Sequence, residues 1–255
     1  MQRLLADDGC PWDREQTMAS LRRYVLEEAC EVVDAIDRDD LGELREELGD
    51  LLLQVVFLGE LARMRGAFGP DDVVAAITDK LVRRHPHVFG DVTLDGSEAV
   101  LDNWEKLKAK ERQDKVERRG VLDTIPKSMP ALVRAQRIGE KVKRVGFDWP
   151  DASGPRAKVD EELGELDEAV AAGDPARIES ELGDALYALC NVARHHGVDA
   201  EGALRSTMRK FERRFAHVEA RVDREHGGFA EHGKLPLEVL DGYWEEAKRQ
   251  ERGAE

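Results

Sequence analysis

The chain reads as an all-α protein. Apolar residues recur at the three- and four-residue spacing of amphipathic helices, and no run keeps the period-two alternation of a strand over a useful length. One acidic helical hairpin also occurs twice, which marks an internal repeat.

In chain order, Leu21, Val25, Leu26, Ala29, Val32, Val33 and Ile36 define a first helical pattern from Arg14 to Arg38, with Glu27, Glu28 and Glu31 among them. A second helix, from about Leu41 to Arg65, carries Glu47 and Asp50 and is ended by Gly66. Pro70 and Asp71 open a third that runs through Arg84. After the charged run Lys115 to Arg119 and Gly120, Pro126 and Pro130 exclude uninterrupted helix. Helix resumes from Ala131 to about Val145, and Gly146-Phe147-Asp148-Trp149-Pro150 forms a loop into the second acidic hairpin. There Gly173-Asp174-Pro175 is the turn, with Asp174 placed to cap the next helix and Pro175 at its first position. His195 and His196 before Gly197 mark a helix C-terminus that favours positive charge.

Adding 134 to positions 27, 28, 31, 47 and 50 returns Glu161, Glu162, Glu165, Glu181 and Asp184. The segment Lys80 to Arg84 is answered by Lys210-Phe211-Glu212-Arg213-Arg214, and Trp104-Glu105 with Lys108 by Trp244-Glu245 with Lys248. Two equivalent helical units follow: residues 1–118, a linker over 119–130, and residues 131–255.

With 255 residues, 36% charged and 41% hydrophobic, the chain is long enough to bury a core. Its formal charge of -15 argues against a nucleic-acid polymer or an anionic membrane as partner. A small phosphate ligand remains compatible, because a bound divalent ion reverses the local field. No stretch approaches the ~18 apolar residues of a membrane span, and the first residues lack a signal-peptide apolar region, so a cytoplasmic protein is expected. Cys10, Cys30 and Cys190 suggest neither a disulfide frame nor a thiolate site. Cys30 and Cys190, inside helical patterns, are expected to pack as small apolar residues.

At helical spacing Glu161, Glu162 and Glu165 share one stripe, and Glu181 and Asp184 share another. In an antiparallel hairpin the stripes face and repel each other, which calls for a cation. The ligands are all oxygen, which suits Mg²⁺ or Mn²⁺. A di-iron bundle would need Glu-x-x-His on two helices, and no histidine stands at Asp50 or Asp184. The competing view is a solvated acidic face. Lys210, Arg213 and Arg214 form a basic group, and Lys158 and Arg156 precede the second acidic motif; such cations either pair on the surface or take the outer oxygens of a polyphosphate. Trp104 and Trp244 are either core anchors or a surface on which bases stack. His85 and His87 are expected to be structural.

These residues resemble the MazG family of nucleoside triphosphate pyrophosphohydrolases, within the all-α NTP pyrophosphatase superfamily, whose signature is E-E-x-x-E followed by E-x-x-D. The likeness takes in Cys10-Pro11-Trp12-Asp13, Arg84-His85-Pro86-His87-Val88-Phe89 and Arg144-Val145-Gly146-Phe147-Asp148-Trp149. It implies hydrolysis of the α–β bond of a nucleoside triphosphate to a monophosphate and pyrophosphate, in a homodimer of four-helix-bundle-like units. It also implies Mg²⁺ on Glu162, Glu165, Glu181 and Asp184, with Glu28, Glu31, Glu47 and Asp50 as the first unit's set. Lys158, Arg177, Lys210, Arg214, Trp244 and Lys248 fall where nucleotide contacts are expected. Lys210 and Arg214 would stabilise the leaving pyrophosphate, and Glu161 is the candidate base. The resemblance favours the second unit as the active one, and the first departs from the pattern with Tyr24 where the second has Lys158, which removes one phosphate cation. Two other readings are a hydrolase confined to one nucleotide, of dUTP or phosphoribosyl-ATP type, and a non-enzymatic helical scaffold.

Overall fold

The computed structural model describes residues 1–93, 95, 96, 99, 100, 103 and 120–254. Among the described residues all regular structure is helical. The chain divides into two compact units, Met1–Val116 and Glu117–Glu255. Trp104, Glu105, Lys108 and the run from Lys115 to Arg119 lie outside the described residues.

The first unit holds α1 (Gln2–Leu5), α2 (Pro11–Glu15), α3 (Met18–Asp37), α4 (Leu41–Met64), α5 (Pro70–Arg84) and α6 (Pro86–Phe89). The helix expected from Arg14 instead starts at Met18. Thr17 and Ser20 form a reciprocal capping box, each side chain accepting from the other's backbone N–H at 3.1 and 2.9 Å, and this fixes the start. α3 and α4 pair as a hairpin, with Leu21, Phe57 and Leu61 buried together between them.

The second unit holds α7 (Ala131–Lys143), α8 (Ser153–Ala172), α9 (Pro175–His195), α10 (Ala200–His226), α11 (Phe229–His232) and α12 (Leu237–Ala254). α8 and α9 form its hairpin, α7 packs on α9, and α10 pairs with α12 around Val218, Val222 and Tyr243.

The two hairpin turns correspond residue by residue. Asp40 Oδ1 accepts from the N–H groups of Gly42 and Glu43, as Asp174 Oδ1 does from Ala176 and Arg177. The residue before each cap is left-handed: Gly173 at φ 65°, and Asp39 at φ 56°, where aspartate is among the residues that tolerate it. Cys190 is buried as expected. Cys30 is not: it is exposed on α3.

Candidate active site

The E-E-x-x-E motif lies on α8 and the E-x-x-D motif at the start of α9, so the tight Gly173-Asp174 turn sets them side by side. Glu162, Glu165 and Glu181 each present a carboxylate oxygen, and the three oxygens lie within 4.8 Å of one another. Glu162 is only 4% exposed. Loss of water contact, then the charges of Glu181 and Glu162, push the Glu165 carboxyl up from its ordinary pKa. Asp184, exposed one turn beyond Glu181, is not among the three.

Two cations meet this cluster. Lys158, one turn before Glu162 on α8, places Nζ 2.6 Å from Glu162 Oε1 and 2.9 Å from Glu161 Oε1. Those carboxylates, Glu162 foremost, hold the ammonium well above the usual lysine range. Arg177 is held by the capped first turn of α9, with its guanidinium 3.7 Å from Glu181 and 3.2 Å from Glu168.

In the first unit Glu28, Glu47 and Asp50 converge in the same way, with oxygens within 4.8 Å of one another. Glu31 stands beside them, hydrogen-bonded to Glu28. Here the cations are replaced. Tyr24 takes the place of Lys158 and receives a hydrogen bond from Arg23, while Glu43 takes the place of Arg177 and pairs with Arg38 at 2.5 Å. Loss of water contact raises both Glu28 and Glu47, followed by Asp50 for the former and Glu31 for the latter.

Lys210, Arg214, Trp244 and Lys248 belong to the α10–α12 pair. Arg214 Nε donates to Glu251 Oε2 at 2.8 Å, and the guanidinium carbon lies 5.7 Å over the Trp244 ring, which packs 4.9 Å from Phe211. Lys248 Nζ bonds Glu245 at 2.5 Å, and Lys210 is exposed on α10. Thus Lys158 and Arg177 are brought to the carboxylates, and the bonds of Arg214 and Lys248 go to acids of their own helix pair. His85 Nδ1 sits 2.7 Å from the Leu81 carbonyl oxygen, which fits a structural role.

Reading the sequence missed a network behind the hairpin. Arg194 forks onto Asp148, Nη1 to Oδ2 at 2.8 Å and Nη2 to Oδ1 at 2.6 Å, and both side chains are about nine-tenths buried. His195 Nε2 lies 3.2 Å from Asp148 Oδ1, and Asn191 Oδ1 accepts from Arg194 Nε at 3.2 Å. The Arg194 fork, above all, holds the Asp148 carboxyl far below the usual carboxylate range. A Cβ at Gly139 would fall 2.5 Å from Arg194 Nε, so α7 reaches the network only through a glycine. The signal was the Gly146-Phe147-Asp148-Trp149 string, whose partners lie 46 and 47 residues away on α9 and share no helical spacing with it.

A sequence model of the MazG nucleotide pyrophosphohydrolase domain matches residues 16–89 and again 155–219. A protein of Escherichia coli K12 named nucleoside triphosphate pyrophosphohydrolase is 48% identical over 98% of this chain and 95% of its own length. Thermotoga maritima nucleoside triphosphate pyrophosphohydrolase/pyrophosphatase MazG is 44% identical over 97% of this chain and 92% of its own. The uncharacterized protein YabN of Bacillus subtilis is 42% identical over 99% of this chain and 51% of its own length. Both copies of the carboxylate hairpin fall inside the matched segments, and the chain belongs to the MazG family.

Proposed function

We propose that the chain is a nucleoside triphosphate pyrophosphohydrolase that uses the α8–α9 hairpin to cut nucleoside triphosphates into a monophosphate and pyrophosphate. The observation that carries this reading is the meeting of Glu162, Glu165 and Glu181 within 4.8 Å, with Lys158 bonded to the same cluster. An all-carboxylate donor set fits a hard cation, Mg²⁺ or in its place Mn²⁺, and Asp184 on the next turn of α9 is a further donor. The ion would neutralise phosphate charge and lower the pKa of an attacking water. Lys158 and Arg177 hold the phosphate oxygens, and their ion pairs with Glu161, Glu162 and Glu181 keep both cations in place before substrate arrives. Glu161, released from Lys158 by a phosphate, becomes free to accept the proton of water. Lys210, Arg214, Trp244 and Lys248 form a second group on α10 and α12, suited to the pyrophosphate end.

A homodimer fits the surface of the hairpin. Leu182, Leu186 and Leu189 follow one another at i, i+4 and i+7 on α9, each about half exposed, and Leu48, Leu52 and Val55 repeat the stripe on α4. Such stripes are covered in helical bundles, and a second copy of this chain supplies the matching face. Among the described residues no helix is long and apolar enough to cross a membrane. The reading includes a housekeeping role over several bases in the cytoplasm. Purified protein with Mg²⁺ and a panel of nucleoside triphosphates should release pyrophosphate. Release of orthophosphate alone would reject the reading, and turnover of one base only would favour the dUTP or phosphoribosyl-ATP type.

A further inference from the structure

Lys210 and Arg214 share a stripe of α10 at i and i+4, and Trp244, Lys248 and Glu251 share one of α12 at i, i+4 and i+7. Glu251 is an acid set among these cations, and two arginines reach it. Arg214 sends Nε and Nη2 to the same oxygen, Oε2, at 2.8 and 2.7 Å, whereas Arg213 comes to Oε1 at 3.4 Å. The Arg213 side chain is 66% exposed and that of Arg214 only 20%, so Arg214 is the cation that Glu251 holds and Arg213 is the solvated one.

A guanidinium is flat and rigid, so fixing one of its edges fixes the direction of the other. Glu251 takes the Nε–Nη2 edge, and the Trp244 ring, 5.7 Å from the guanidinium carbon, limits the tilt of the plane. Nη1 carries no hydrogen bond among the described residues, so the edge it shares with Nη2 is the one offered to a ligand. Parallel N–H groups on that edge match two oxygens of a phosphate. The sequence repeat keeps both members of the pair. Arg84 answers Arg214, and Glu111, outside the described residues, answers Glu251 at the same offset that relates Trp104 to Trp244.

We propose that Glu251 is a positioning residue for phosphate binding: by accepting from the Nε–Nη2 edge of Arg214 it aims the Nη1 edge at the phosphate oxygens of the substrate. This rests on the triphosphate reading above, in which Arg214 meets the pyrophosphate end. An arginine left to swing on a helix surface has to be ordered by the substrate itself, and that ordering lowers affinity. The sign of the effect separates positioning from plain charge. A carboxylate acting by charge alone repels phosphate, and its loss tightens binding; a carboxylate that aims Arg214 does the opposite.

The test is calorimetric titration, in Mg²⁺, of the full chain with adenosine α,β-methylene triphosphate, in wild type, Glu251→Ala, Glu251→Gln, Arg214→Met and the double variant Arg214→Met with Glu251→Ala. Glu251→Ala should bind about tenfold more weakly than wild type, as is usual when the partner that orients a ligand-holding side chain is removed. Glu251→Gln, whose amide oxygen still accepts from Nε, should lose less. In the Arg214→Met background Glu251→Ala should change nothing further, whereas damage to the fold would appear in both backgrounds. Unchanged or tighter binding by Glu251→Ala, equal losses in the Ala and Gln variants, or the same loss with and without Arg214 would overturn the proposal. Pyrophosphate release by wild type is scored separately. Release of pyrophosphate with Glu251→Ala binding as wild type does sinks only the positioning role, whereas the expected affinities with orthophosphate as the sole product sink only the hydrolytic reading.

Discussion

Lys158 Nζ stands 2.6 Å from Glu162 Oε1, so the second unit holds a cation inside its carboxylate cluster. Its equivalent in the first unit, Tyr24, cannot supply one. If Lys158 is the phosphate cation, Lys158→Met should lower kcat/KM by about a hundredfold, as expected for removing a charged donor from a transition state. Steady-state pyrophosphate release measures it, and a loss under threefold would assign Lys158 to structural pairing alone.

The same contrast makes the two carboxylate sets unequal. Both gather three oxygens within 4.8 Å, yet only the second is matched with Lys158 and Arg177, where the first has Tyr24 and Glu43. Glu181→Ala is expected to abolish turnover, and Glu47→Ala to keep more than half of it. Equal losses in the two variants would show that the first unit also works.

Divalent metal should stabilise the protein, because a cation would offset both the loss of water contact and the charges of Glu181 and Glu162 that raise the Glu165 carboxyl. With ligand at about 100 times its dissociation constant, mass action contributes about 2.7 kcal/mol. Thermal melts with Mg²⁺ or Mn²⁺ against a chelator should show an upward shift in wild type that shrinks in Glu181→Ala. A shift of the same size in the variant would mean that the ions bind elsewhere.

Much of this was legible in the sequence, and the parts that were not share a cause. Helical spacing announces which residues share a stripe, and a tight Gly173-Asp174-Pro175 turn says which stripes face, so Glu162, Glu165 and Glu181 could be paired without coordinates. The repeat added Glu28, Glu47 and Asp50 in the same way. Asp184 and Glu31 stand at the edge of their sets, because a one-turn step along a helix shares the stripe without guaranteeing that the side chain reaches its centre. The Asp148–Arg194 fork joins a loop to a helix end 46 residues on, a pairing that no periodicity encodes. Cys30 was misjudged for a related reason: an apolar-looking position within a helix is buried only if another element of the fold covers it.

That fork governs the last prediction. Asp148 and Arg194 are both about nine-tenths buried, so Asp148→Asn leaves a guanidinium without its charge partner inside the protein. Breaking such a pair costs about 3 kcal/mol or more. The pH dependence has a definite sign. Because Arg194 holds the Asp148 carboxyl far below its unfolded value of about 3.9, its contribution is fully present above that pH. It is lost progressively as pH falls below about 4 toward the folded value, since the unfolded chain then binds the proton first. Wild type should therefore exceed Asp148→Asn in stability by its full margin at pH 6 and by a smaller one at pH 3. Urea unfolding of both proteins at the two pH values checks this, and a margin that stays constant would show that the carboxylate charge of Asp148 is not what Arg194 holds.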